Sequence, residues 1–179
     1  MNYQENIERA LRSTARRGVE NVIAWLDRNR FYEVPASVKF HNNFAGGLAK
    51  HSWEVYQEAL RQSERLKDVT LPADSLILCA LLHDICKTDV YRVSPVNGRP
   101  YSNPENFRKG HGLRSVKMLE DLGLELQRDE IMAIWWHMGV YEVSREQYPD
   151  MYARAQTIPL CQVIQRADSR AAAAACEAK

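Results

Sequence analysis

Four of the chain's five histidines and two aspartates fall in the order His51, His83-Asp84, His111, His137, Asp168. Neutral imidazoles and carboxylates are ligands for divalent metals. A set that mixes them suits a borderline or hard ion: manganese, iron, zinc, cobalt, nickel or magnesium. Asp84 follows His83 directly, and its carboxylate can bridge two ions. One arrangement puts His51, His83, Asp84 and Asp168 on a first ion and Asp84, His111 and His137 on a second. Two such ions can activate a water and neutralise charge on a displaced phosphoryl oxygen. The second set leaves positions open to water or substrate, as a catalytic site does. A lone histidine on an apolar helix is most often a satisfied core residue. Six candidate ligands spread over separate helices are much harder to explain that way.

The elements that must carry these residues read as helices. Ile7, Leu11, Val19, Val22, Ile23 and Leu26 recur at roughly helical intervals, predicting an amphipathic helix from about Ile7 to Asn29. Pro35 and HNNFAGG break that pattern, and Gly46-Gly47 closes the loop before a helix beginning near Leu48, with His51 in its first turn. Pro72 restarts the chain at a helix N-terminus. The run ADSLILCALLHDICK is apolar nearly all round and predicts the central helix, presenting His83-Asp84 near its end. Later helices are expected from His111 to about Leu122, across QRDEIMAIWWHMG with His137 near its end, and from about Pro159 through Asp168 into the alanine-rich tail. A helical bundle builds a metal site in its core in this way, from side chains on facing helices. Between them, 88–109 holds three prolines, an Asn-Gly pair and alternating Val and Tyr, predicting a long irregular loop or short hairpin.

The fold class expected is therefore all-α: a single-domain helical bundle, with 1–34 as an N-terminal helical segment packed on a domain of 35–179. At 179 residues the chain can bury a substantial core. Lys and Arg number 24 against 23 Asp and Glu, for a net charge of +1, so bulk charge favours neither a nucleic-acid coat nor a membrane surface. The N-terminal residues lack an apolar core of signal-peptide length, and no apolar run approaches a membrane span. The four cysteines lack any CxxC pairing. A cytoplasmic protein with free thiols is the expectation.

Around the candidate ligands, Lys87 follows the His-Asp pair by about one turn. Arg108, Lys109 and Arg114 flank His111 and make a basic cluster able to bind phosphate. Trp135 and Trp136 read as core packing, while Tyr91 and Tyr101 in the long loop are open to either a structural or a functional role.

At these residues the chain resembles the HD-domain superfamily of metal-dependent phosphohydrolases, whose pattern is H…HD…D. The resemblance runs from about Pro35 to Asp168, through HNNFAGGLAKHSWEVY, CALLHDICK, GHGLRS, AIWWHMG and RADSRA. It is similar to small bacterial and phage HD proteins and to the HD region of certain 3′–5′ exoribonucleases. The resemblance implies an HD-type bundle in which His51, His83, Asp84 and Asp168 are the core metal ligands. It implies that His111 and His137 are the extra ligands of binuclear members, so that two divalent ions bind. Lys87 matches the lysine after the HD pair, with Asp84 and Lys87 as catalytic groups. His41 lies where similar proteins place a histidine ahead of GGL, which would face substrate. Cys86 stands where many relatives have glycine. The GYP segment of cyclic-dinucleotide phosphodiesterases is absent, and 34 residues before Pro35 would not house an OB module.

The expected activity is phosphohydrolysis of a nucleotide or another small phosphoester by a metal-activated water, with His41, Lys87, Arg108, Lys109 and Arg114 binding substrate. Two alternatives stay open: a di-iron HD-fold oxygenase, which shares the same ligands, and a non-catalytic nucleotide-binding sensor.

Overall fold

A computed structural model describes residues 1–103 and 110–177. Its helices are α1 (Tyr3–Ser13), α2 (Val19–Arg28), α3 (Gly47–Ser63), α4 (Ala73–Leu82), the short α5 (Lys87–Val90), α6 (His111–Asp121), α7 (Arg128–Trp135), α8 (Pro149–Ala155) and α9 (Pro159–Glu177). The fold class is all-α, as the helical periodicity implied. The strands among the described residues are β1 (Tyr91–Val93) and β2 (Pro100–Ser102), an antiparallel hairpin pairing Tyr91 with Ser102, Arg92 with Tyr101 and Val93 with Pro100. The alternating Val and Tyr before Asn97-Gly98 encode this hairpin.

Helix α4 sits at the centre. From Ser75 to Leu82 every residue is buried, so it needs neighbours on all sides. It packs on α3, α7 and α9, while α3 also packs on α9 and α7 on α6 and α9. The core includes Leu78, Leu81 and Leu82 of α4, Leu48 and Val55 of α3, Ile134 and Trp136, and Val163 and Ile164 of α9. Truncating one such leucine to alanine costs about 2–5 kcal/mol.

The N-terminal periodic stretch forms two helices rather than one. The backbone turns left-handed at Ala15 (φ 48°) and Gly18 (φ 86°). The break lets Arg16 reach across the molecule to Glu130 on α7, with contacts of 2.7 and 2.9 Å. Apolar spacing runs on through such a break because both helices face the same core: Ile7 and Leu11 from α1, Val22 and Leu26 from α2. Helix α1 is capped by Asn2, whose side chain accepts from the Glu5 amide. It packs on both α3 and α4. Helix α8 and two short 3₁₀ turns at Gly139–Tyr141 and Val143–Arg145 had no sequence expectation. No helix among the described residues is long and apolar enough to cross a membrane. All four cysteines are free thiols.

Candidate metal centre

The central helix ends one residue before the His-Asp pair: α4 stops at Leu82 and His83 is its cap. The His83 ring turns back on the helix, with Nδ1 2.9 Å from the Ala80 carbonyl. A carbonyl can only accept, so Nδ1 donates, which leaves Nε2 as the ring atom aimed at the cluster. His137, two residues past the end of α7, does the same through Nδ1 to the Ile134 carbonyl at 2.7 Å. His51 comes from the first turns of α3, Asp168 from the middle of α9, and His111 from the first residue of α6.

Two glycines permit these approaches. A Cβ on Gly47 would lie 1.9 Å from the Asn42 carbonyl oxygen, and one on Gly112 would lie 2.1 Å from that of Trp135. Neither distance is compatible with a side chain. Gly47 seats the start of α3 against the loop that carries His41. Gly112 seats α6 against the end of α7, bringing His111 beside His137, with ring centroids 5.2 Å apart.

Four histidines converge on Asp84, and Asp168 joins the cluster through two of them. Its Oδ2 lies 3.1 Å from His83 Nε2 and 3.9 Å from His51 Nε2, while Oδ1 lies 3.5 Å from His137 Nε2 and 3.6 Å from His111 Nε2. Asp168 Oδ1 lies 3.0 Å from His51 Nε2 and 3.8 Å from His83 Nε2. Ligand atoms of His51, His83 and Asp84, of His83, His137 and Asp168, and of Asp84, His111 and His137 each fall within 4.8 Å of one another. His51, His83, Asp84 and His137 are all at most 1% exposed.

The donor set fits a divalent ion. Among the described residues, both nitrogens of His51, the Nε2 atoms of His83, His111 and His137, and Asp84 Oδ1 are buried without a hydrogen-bond partner. Leaving one such group unsatisfied costs about 1–3 kcal/mol. Gathered lone pairs of this kind are what a cation would satisfy. Burial pushes the His111 imidazole down to about 3 and also lowers His51, favouring the neutral, ligating form. Against burial, Lys87 and the surrounding histidines hold Asp84 well below the usual carboxylate range. Against burial likewise, the close approach of His51 and of the neighbouring histidines holds Asp168 below the usual carboxylate range.

Lys87 Nζ sits 2.6 Å from Asp84 Oδ2. Burial works against the ammonium, but Asp84 more than offsets it and raises its pKa. His41 lies beside the cluster with its ring centroid 4.5 Å from that of His51, and burial pushes it down to about 4. Arg114, on the first turn of α6, has Nη2 3.8 Å from Asp89 Oδ2. Arg108 and Lys109 lie outside the described residues.

Two participants had no site role assigned from the sequence. The Cys86 thiol reaches the backbone carbonyl of His111 at 3.2 Å and so ties the start of α6 to the turn carrying Asp84. Its only sequence signal was that it replaces the glycine of similar proteins. Tyr91 stands close enough to Lys87 and Asp84 to feel both charges; burial, with Asp84, raises its phenol while Lys87 opposes.

Comparison with known proteins agrees with this geometry. The HD domain family model matches residues 48–173, which contain all six clustered histidines and aspartates. The chain is similar to the dihydroneopterin 2′,3′-cyclic phosphate phosphodiesterase of Methanocaldococcus jannaschii, at 40% identity over 58 residues. That match covers 31% of this chain and 23% of the archaeal protein, so the chain spans about a quarter of that relative's length. No solved structure matches significantly. With the family model covering well over half of its length and the histidine-aspartate cluster assembled within that span, the chain belongs to the HD domain family.

Proposed function

We propose that the chain is a metal-dependent phosphohydrolase acting on a nucleotide or another small phosphoester. The observation that carries this reading is the opposed placement of the two Asp84 oxygens, one toward His51 and His83 and the other toward His111 and His137. On this reading His51, His83, Asp84 and Asp168 hold one divalent ion, and Asp84, His111 and His137 hold a second. Ions bound there would supply Lewis acidity, lowering the pKa of a water and neutralising charge on phosphoryl oxygens.

The chain's own groups position and protect. Lys87 keeps Asp84 anionic through the 2.6 Å contact and has further N–H donors for a phosphate oxygen. Arg114 offers a guanidinium from the α6 helix that begins with His111. His41, kept neutral by burial, adds a ring nitrogen without adding positive charge beside the ions. The buried ligand set keeps bulk water from the protein side of the site, which strengthens every charge interaction within it. Similarity to an enzyme that opens a 2′,3′-cyclic phosphate supports phosphoester chemistry and puts cyclic phosphodiesters among the candidate substrates.

The test is turnover by protein loaded with manganese, cobalt or iron against phosphomonoesters, linear diesters and 2′,3′-cyclic nucleotides, under anaerobic conditions. Release of phosphate or ring opening, abolished in Asp84→Ala, is the expected result. Oxygen-dependent substrate consumption with iron and no anaerobic hydrolysis would replace the hydrolase with an oxygenase. Tight nucleotide binding with no turnover under any metal would make the chain a sensor.

A further inference from the structure

A cavity of about 330 Å³ is lined by Ser37, Val38, Lys39, Phe40, Tyr91 and Ser102. That volume is at the small end for ligand pockets and suits part of a small molecule rather than all of one. Both of its walls lead along the chain to the metal centre. One ends at His41, whose ring lies 4.5 Å from that of the candidate ligand His51. The other begins at Tyr91, four residues after Lys87, with its phenol within the electrostatic reach of Lys87 and Asp84.

The walls are built to hold shape. Tyr91 and Ser102 are directly opposed across β1 and β2, so their side chains share one face of the hairpin. The Asn103 amide donates to the Val90 carbonyl at 2.7 Å and closes the base of that hairpin. On the facing loop, Ser37 Oγ accepts from the amides of Phe40 at 2.6 Å and Lys39 at 3.2 Å. The Ala36 amide donates to the Asn42 carbonyl at 3.2 Å and closes this loop as well. The result is a slot with the Tyr91 ring, the largely exposed Phe40 ring and Val38 for apolar surface, and with hydroxyls and one ammonium for polar edges. A flat ring with hydrogen-bonding edges matches those walls, since stacking on aromatic side chains is the general way proteins hold bases.

We propose that this slot is the ring subsite of the enzyme: it takes a flat heteroaromatic ring of the nucleobase kind while the ester of the same molecule reaches the metal centre past His41 and Lys87. The placement of the ester rests on the phosphohydrolase reading; ring binding is measured independently of it.

The experiment is calorimetric titration of metal-loaded protein with adenosine, guanosine, ribose 5-phosphate and AMP, with initial rates for the two esters alongside. Adenosine or guanosine binds without any phosphate, and AMP binds about tenfold or more tighter than ribose 5-phosphate. Tyr91→Ala brings that ratio close to one. Ser102→Trp, which fills the slot from the opposite strand, abolishes nucleoside binding and serves if Tyr91→Ala fails to fold. Equal affinity for AMP and ribose 5-phosphate in the parent protein overturns the ring subsite, and cleavage of both esters would then leave the hydrolase reading standing. Nucleoside binding that survives both variants also overturns it. Nucleoside binding lost in both variants, with no ester cleaved, supports the ring subsite and sinks the hydrolase reading.

Discussion

His83 and His137 stand in the same local relationship to their helices: each lies just past a helix end and donates from Nδ1 to the carbonyl three residues back, Ala80 in one case and Ile134 in the other. The rings meet at a centroid distance of 4.8 Å, nearly perpendicular, with both Nε2 atoms turned toward Asp84. Each helix end thus fixes a tautomer and an orientation before any ion arrives, as backbone partners of ligating histidines generally do. If His137 serves the second ion, His137→Ala lowers the divalent metal recovered with the protein from two ions per chain to one. Elemental analysis after purification without chelators reads this directly, and an unchanged stoichiometry would remove His137 from the ligand set.

Removing metal should destabilise the fold as a whole, because the lone pairs gathered around Asp84 are buried without partners. Binding to the folded state alone adds about 2.7 kcal/mol when free ion is at 100 times Kd. For a chain of this length that corresponds to roughly 5–10 °C in Tm. Differential scanning fluorimetry of chelator-treated protein, with and without manganese or zinc, should show such a rise. In Asp84→Ala the rise should vanish. Equal melting with and without ions in the parent protein would mean that these atoms do not hold a metal tightly.

Much of this arrangement was legible in the sequence, for a physical reason. Metal ligands need particular chemical types, and the apolar run ending in His83-Asp84 announced a central helix. Hence the all-α class and the convergence of His51, His83, Asp84, His111, His137 and Asp168 could both be anticipated from residue type and spacing. The break between α1 and α2 could not, because apolar periodicity continues through it and the reason for it is Arg16 reaching Glu130, 114 positions along the chain. Cys86 and the Ser37–Phe40 loop were silent as well. Their contributions are a backbone contact and a cavity wall, and neither demands a distinctive residue type.

Arg16 and Glu130 form a buried ion pair far along the chain from the ligands, with side chains 10% and 1% exposed. Glu130 also accepts from the Gln127 amide and the Ser75 hydroxyl. Removing Arg16 alone strands the carboxylate, so Arg16→Met should cost about 3–5 kcal/mol in urea unfolding at neutral pH. Burial pushes the Glu130 carboxyl up, but Arg16, Gln127 and Ser75 together bring it below its ordinary value. A depressed folded pKa contributes stability above the unfolded value of about 4.3, and that contribution is lost as pH falls through the folded pKa. The stability gap between the parent protein and Glu130→Gln should therefore be widest near neutrality and narrow below about pH 4. A gap that widens in acid would contradict the assignment.

Gly47 and Gly112 invert the usual rule for helix glycines. Alanine in a helix is ordinarily better than glycine by about 0.8–1 kcal/mol. Here the added carbon would meet the Asn42 carbonyl oxygen at 1.9 Å or that of Trp135 at 2.1 Å, and backbone on both sides cannot move aside cheaply. Overpacking costs of about 1–3 kcal/mol exceed the propensity gain, so both substitutions should lower stability. They should also differ at the site. Gly112→Ala pushes α6 from α7 and separates His111 from His137, whereas Gly47→Ala displaces the loop holding His41 and the start of α3 that carries His51. Metal titration distinguishes them: Gly112→Ala should weaken only the ion bound through His111 and His137, and Gly47→Ala should weaken the ion bound through His51. Equal loss of both ions in both variants would point to general unfolding instead of local displacement.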